Sequence, residues 1–170
     1  MTNLQIIAQI LGIFVIIICL VFPHFKHKSS MLLGSFFANL LWSAGFLLTN
    51  AFAGASTGFI SLIRSITFYF YSKKDRVPPL SLLIIFSILQ IALVIYFWNG
   101  WFCAFLLLAP LRTYGEWQKK ENKLRGIISF TTFFNGIYCI FSGNYTNAVN
   151  EWVQSCSSII ATIRYRKIKN

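Results

Sequence analysis

The sequence predicts an all-α polytopic membrane protein, with seven transmembrane helices arranged as two three-helix bundles joined by a linker helix. Three observations predict it. Apolar runs fill nearly all of the 170 residues, which are 56% hydrophobic and only 11% charged, so no room is left for a separate soluble domain. The basic residues fall in clusters after alternate runs, as cytoplasmic loops require. Two landmarks also recur along the chain at nearly the same offset, the mark of an internal repeat.

The elements follow in order. Leu4 to Phe22 is the first span, closed by Pro23 and followed by HFKHKSS. It has no basic flank before it and no small-residue cleavage site, so it reads as a retained helix rather than a signal peptide. Met31 to Phe52 is the second span, Ala55 to Ser72 the third and Leu80 to Trp98 the fourth. Trp101 to Tyr114 is a shorter fifth, interrupted by Pro110 and followed by a charged loop from Glu116 to Arg125. Gly126 to Phe141 is the sixth, and Tyr145 to about Ile163 the seventh. Crossing takes about 17–25 residues, so the fifth and sixth must borrow flanking polar residues.

Charge sets the orientation. The 15 Lys and Arg residues give a formal net charge of +11. That excess suggests nucleic acid only if it lies on one soluble face, and here it lies in short loops and the tail. Clusters follow spans one, three, five and seven, and the loops around Ala53, Asn99 and Gly143 are uncharged. The positive-inside rule then places the amino terminus outside and the carboxyl terminus in the cytoplasm. Pro23 and Pro110 are 87 residues apart, and Gly54 and Gly143 are 89 apart. Spans one to three (residues 1–76) would thus recur as spans five to seven (residues 100–170). Residues 77–99 form the linker helix of a parallel repeat.

Arg64 is the one base this pattern does not absorb. It lies in the middle of span three, where a charge costs at least about 2.5 kcal/mol and normally faces a partner or a wet cavity. Its helix also carries Gly54, Gly58, Ser61 and Ser65 at helical spacing, a stripe that lets a neighbouring backbone approach. Two readings of Arg64 stand open: a structural salt bridge, and a group lining a transport path. Glu151 reads as the only acid inside a span, with Asp75, Glu116 and Glu121 in cytoplasmic loops. It either pairs with Arg64 or sits wet at the outer interface.

Several spans carry polar seams. Span seven presents Asn147, Asn150, Glu151, Gln154, Ser157 and Ser158, and span six Thr131, Asn135, Tyr138 and Ser142. Span two presents Ser35, Asn39, Ser43 and Asn50, and span one Gln5, Gln9 and Gly12. Each alone is explained by hydrogen bonds between helices, worth about 0.6 kcal/mol apiece. Four in one small bundle equally suit a shared polar cavity. Cys19, Cys103, Cys139 and Cys156 all fall in apolar runs without metal spacing, so they read as buried free thiols and no metal or cofactor is expected.

The segment AGASTGFISLIR, Ala53 to Arg64, and the ending SSIIATIRYRK resemble the YgjV family of small bacterial inner-membrane proteins. That resemblance implies a location, multi-pass in the inner membrane, and not an activity. In its helix count and three-one-three pattern the chain is also similar to the SWEET and PQ-loop transporters. Pro23 and Pro110 stand where that resemblance implies hinges. The sequence departs from the PQ pattern, because His24 and Leu111 follow those prolines.

The leading functional expectation is a small-solute transporter or facilitator with a polar cavity between two three-helix bundles. Arg64, Glu151, Asn39, Trp42, Asn135, Asn150 and Gln154 are its candidate binding residues: Arg64 for an anionic group, the amides for neutral hydrogen bonds and Trp42 for stacking. For Trp42 ordinary packing is the simpler explanation. The alternative is a non-transporting membrane partner or structural subunit. No HExxH, carboxylate pair or nucleophile elbow supports an enzyme. The partners implied are the lipid bilayer and an unidentified solute, with further copies of the chain left open and nucleic acid excluded.

Overall fold

The computed structural model describes residues 3–167, with side chains described over residues 10–165 and at Ile7. The seam positions Gln5 and Gln9 and the tail residues Arg166, Lys167 and Lys169 lie outside the described side chains. Among the described residues there are seven α-helices and no strands. They are α1 (Asn3–Val21), α2 (Lys28–Leu48), α3 (Phe52–Lys73), α4 (Leu80–Tyr96), α5 (Ala109–Trp117), α6 (Glu121–Phe141) and α7 (Tyr145–Lys167).

Two of the described helices, α2 and α6, are long and apolar enough to cross a membrane; Ile10–His24 and Leu80–Tyr96 are apolar but shorter. Helices α3 and α7 are 22 and 23 residues long, and it is their polar seams that dilute their hydropathy. Those seams point inward. Helix α7 exposes Val149, Trp152, Ile159, Ile160 and Ile163 and buries Asn147, Asn150, Glu151, Gln154 and Ser158. Among the described residues the interior holds at least as many polar as apolar side chains, while the surface is dense in Ile, Leu and Phe. A water-soluble domain sorts the other way.

Each helix packs on its neighbours in sequence, and α7 closes on α1. The closure is polar. Asn150 Nδ2 donates to the Gly12 carbonyl at 2.9 Å and Ser157 Oγ to the Leu20 carbonyl at 2.9 Å. Gly12 permits this approach, because a Cβ there would collide with Thr146. Helix α4 lies behind a direct contact of α3 with α5 and turns inward only Phe86, Gln90 and Val94.

The fifth element differs from expectation. Trp101–Leu108 is a 3-10 helix, and the α-helix begins only at Ala109. Eight residues of 3-10 helix is long for that form. At about 2.0 Å per residue this stretch rises about 16 Å. The nine residues of α5 add about 14 Å at 1.5 Å each. The element therefore matches a hydrocarbon core of about 30 Å, and it does so by taking in Gly115, Glu116 and Trp117 beyond Tyr114, as expected of a short span. Pro110 stands in the first turn of α5, where its missing N–H leaves nothing unsatisfied. Pro23 lies in the 3-10 turn that ends α1. Neither proline interrupts an α-helix.

The repeat landmarks also need correction. Gly143 has φ +75° and closes α6 with bonds from Gly143 N to Ile140 O and from Asn144 N to Cys139 O, a Schellman turn. The same turn closes α2, with Asn50 at φ +57° and bonds from Asn50 N to Leu47 O and from Ala51 N to Phe46 O. Asn50, not Gly54, is the counterpart of Gly143. Gly54 lies inside the first turn of α3, where its N–H bonds the Tyr138 hydroxyl at 2.9 Å.

Candidate functional site

Arg64 is fully buried, and its partner is Glu116 rather than Glu151. The guanidinium grips the carboxylate with two hydrogen bonds of 2.9 Å, from Nε to Oε2 and from Nη2 to Oε1, and its Nη1 donates to Thr113 Oγ1 at 2.8 Å. The fork geometry suits Arg and not Lys. Ser65 Oγ donates to Glu116 Oε2 at 3.1 Å, and Arg112 Nε lies 3.6 Å from Oε1. The network continues outward, since Thr113 donates to Gln90 Oε1 at 2.8 Å and Gln90 Nε2 to Ser61 at 3.1 Å. Helices α3, α4 and α5 are thus pinned at one level.

Glu116 and Arg112 are therefore not loop residues. Both are buried in α5, and the loop that follows is only Gln118–Lys120. A lysine closes the end of the helix: Lys28 Nζ donates to the carbonyls of Trp117 and Gln118, a cation on the last carbonyls as the helix dipole favours. Arg125 does the same for the 3-10 turn after α1, donating to Pro23 O at 2.9 Å and Phe25 O at 2.8 Å. Two bases read from sequence as loop charges are built-in caps. Cys156 is corrected as well, being exposed while Cys19, Cys103 and Cys139 are buried.

The seven candidate binding residues do come together. Asn39, Trp42, Arg64, Asn135 and Glu151 line a cavity with about 20 Å³ open to water centres. Asn150 and Gln154 join Asn39, Trp42 and Glu151 around a second, of about 10 Å³. Each holds about one water. Arg112 lines both cavities, and sequence reasoning did not select it. Among the described residues, five buried polar atoms at these walls have no hydrogen-bond partner: Trp42 Nε1, Arg112 Nε, Asn150 Oδ1, Glu151 Oε2 and Gln154 Nε2. Such atoms each cost about 1–3 kcal/mol unless a guest or water meets them.

Arg64 is saturated by Glu116 and Thr113, so Arg112 is the cation more open to a guest. No ion pair joins Arg112 to Glu151 among the described residues. One wall thus carries a guanidinium and another a carboxylate, with amides between them.

At the other end of the bundle, a vestibule of about 450 Å³ is lined by Asn50, Phe97, Asn99, Phe102, Tyr138 and Ser142, among others, with no charged side chain. Three rings stand between it and the small cavities. Trp42 packs edge-on to Phe46 at 4.4 Å, and Phe46 on Tyr138 at 5.7 Å. Phe46 and Tyr138 are fully buried in the apolar cluster of this region. Gly58 brings α3 up against the first ring, since a Cβ there would collide with Ser43 and press on Trp42.

An all-helical chain with an apolar exterior, a polar interior and buried ion pairs belongs to the class of integral membrane proteins. The family comparison agrees: residues 6–169 match the model of the Imp-YgjV family, described as bacterial inner membrane protein. The chain belongs to that family. No curated protein and no solved structure matches it.

Proposed function

We propose that this chain crosses the inner membrane seven times, amino terminus outside and carboxyl terminus in the cytoplasm, in a SWEET-like three-one-three arrangement. In this reading it is a facilitator or transporter of a small polar solute. The orientation rests on the basic clusters. Matching Schellman turns after α2 and α6 support a repeat of two triplets. One observation carries the functional reading. Polar side chains from five helices meet around two adjoining cavities and leave five buried atoms without partners. A bundle selected only for stability would fill or satisfy that space.

The vestibule, the three-ring plug and the central cavities then make a path closed at the rings. Reconstitution into proteoliposomes, with a metabolite panel screened by uptake and by thermal shift, tests this. At least one solute is expected to enter and to stabilise the protein, and Asn39→Leu to abolish both effects. A panel without a hit favours the second reading, a non-transporting membrane partner. The one-water size of the central cavities speaks for that alternative.

A further inference from the structure

The unpartnered atoms are not confined to the two cavities. They run along one face of α7. Asn144 leaves both Nδ2 and Oδ1 without a partner, Asn147 its Nδ2, Asn150 its Oδ1, Glu151 its Oε2, Gln154 its Nε2 and Ser158 its Oγ. All six residues are at most 5% exposed. From Asn144 to Ser158 the helix rises about 21 Å at 1.5 Å per residue. One direct bond closes inside the row, from Asn150 Nδ2 to Asn147 Oδ1 at 3.3 Å, and the atoms named above are left over. Near the middle of the row Asn150, Glu151 and Gln154 line the two small cavities, each with room for about one water.

The chemistry of the row selects its occupant. It mixes N–H donors with oxygen acceptors, and Arg112 stands beside it. A bare metal cation needs a shell of oxygens and would be repelled by those donors and by the guanidinium. Water both donates and accepts, so it satisfies every member of the row.

Glu151 is the only carboxyl in the row. The groups facing it from the packed helices are Cys19 on α1, Asn39 and Trp42 on α2, Arg64 on α3, Arg112 on α5, and Thr131, Asn135 and Cys139 on α6. The cations among them are Arg64, already held by Glu116, and Arg112, shared with Glu116. A buried carboxylate without a direct partner must be matched through water or neutralised by a proton.

We propose that Glu151 is a proton-binding site reached through water in the two small cavities it lines. Hydronium there gives its proton to the Glu151 carboxylate and leaves water. The acid later returns the proton to a cavity water and regenerates the carboxylate. This deepens the transport reading, on which its physiological use rests, by supplying a coupling ion.

Infrared difference spectra of the whole protein in bilayers, acidic minus alkaline buffer, test it without any solute. Failure here is therefore separable from failure of transport. In the wild type a carboxylic C=O band grows in acid and shifts to lower frequency in heavy water as fast as buffer is exchanged. Glu151→Gln is expected to remove this component, and Glu151→Asp to keep it at a shifted frequency. Asn39→Leu, at a wall of both cavities, should slow the deuterium shift at least tenfold. An unchanged difference spectrum in folded Glu151→Gln overturns the proton site. A deuterium shift as fast in Asn39→Leu as in the wild type overturns access through the cavities. Should Glu151→Gln not fold, the Asp variant decides: a band at the wild-type frequency rejects the assignment.

Discussion

Removing the Arg64 guanidinium takes away three hydrogen bonds of 2.8–2.9 Å and leaves Glu116 buried. Breaking a buried pair by deleting one partner typically costs about 3–5 kcal/mol. What remains around Glu116 places this case near the lower end. Ser65 still donates to it at 3.1 Å, and Arg112 Nε is 3.6 Å away, close enough to swing in. Arg64→Met, which keeps most of the side-chain volume, is therefore expected to lose about 3 kcal/mol. Glu116→Gln should lose more, about 4–5 kcal/mol, because it leaves two buried guanidiniums with no carboxylate within contact distance. The double variant should recover part of the loss, giving a coupling energy of about 2–3 kcal/mol. The same cycle between Arg64 and Glu151 should give no more than about 0.5 kcal/mol, the level of independent sites. Equilibrium unfolding in mixed detergent micelles measures all of these. Strict additivity of the Arg64 and Glu116 losses, or a larger coupling of Arg64 to Glu151, would refute the pairing.

Other outcomes follow from the same geometry. Gly58→Ala should cost about 1–3 kcal/mol by unfolding titration, since its Cβ meets Ser43 and Trp42 and overpacking is charged on that scale. Tyr138→Phe removes the acceptor for the Gly54 N–H, one of the orphan donors at the start of α3. A loss of about 1 kcal/mol is expected in the same assay, and none would show that the bond is idle. Lys28→Met uncaps α5, with an expected loss of about 1 kcal/mol. Reporter fusions should place Asn170 in the cytoplasm and Asn99 outside; a cytoplasmic signal at Asn99 would exclude seven crossings.

Much of the architecture was legible because its causes are local. Apolar length sets the helices, and Pro23 and the Gly143 turn mark two of their ends, whereas the turn at Asn50 was hidden in the seam of span two. The inward direction of the α2, α6 and α7 seams was legible too, because 3.6-residue periodicity puts Asn147, Asn150, Glu151 and Gln154 on one face. The 3-10 form of Trp101–Leu108 was not. Its sequence, WFCAFLLL, is uniformly apolar and carries no periodic signal, so its rise per residue could not be read. A second boundary mattered more: Glu116 opens the charged run EWQKKENKLR, whose composition reads as loop, yet α5 continues through it to Trp117.

The error in the partner of Arg64 has the same root. A charge inside hydrocarbon must be compensated, and sequence arithmetic left Glu151 as the only acid within reach. With α5 continued to Trp117, Glu116 is buried in the bundle against Arg64 and Ser65. Besides Lys28 and Arg125, which cap helix ends, the buried charges are Arg64 and Arg112 against Glu116 and Glu151, and these four balance. Glu116 fully engages Arg64 and only partly engages Arg112. Among the described residues Glu151 has no direct ion-pair partner. A bundle needing only stability could have closed that last pair at contact distance. Here a cavity separates Arg112 from Glu151, on walls lined with unpartnered amides. The charge arithmetic that makes Arg64 structural is thus the same arithmetic that leaves Arg112 and Glu151 available to a guest.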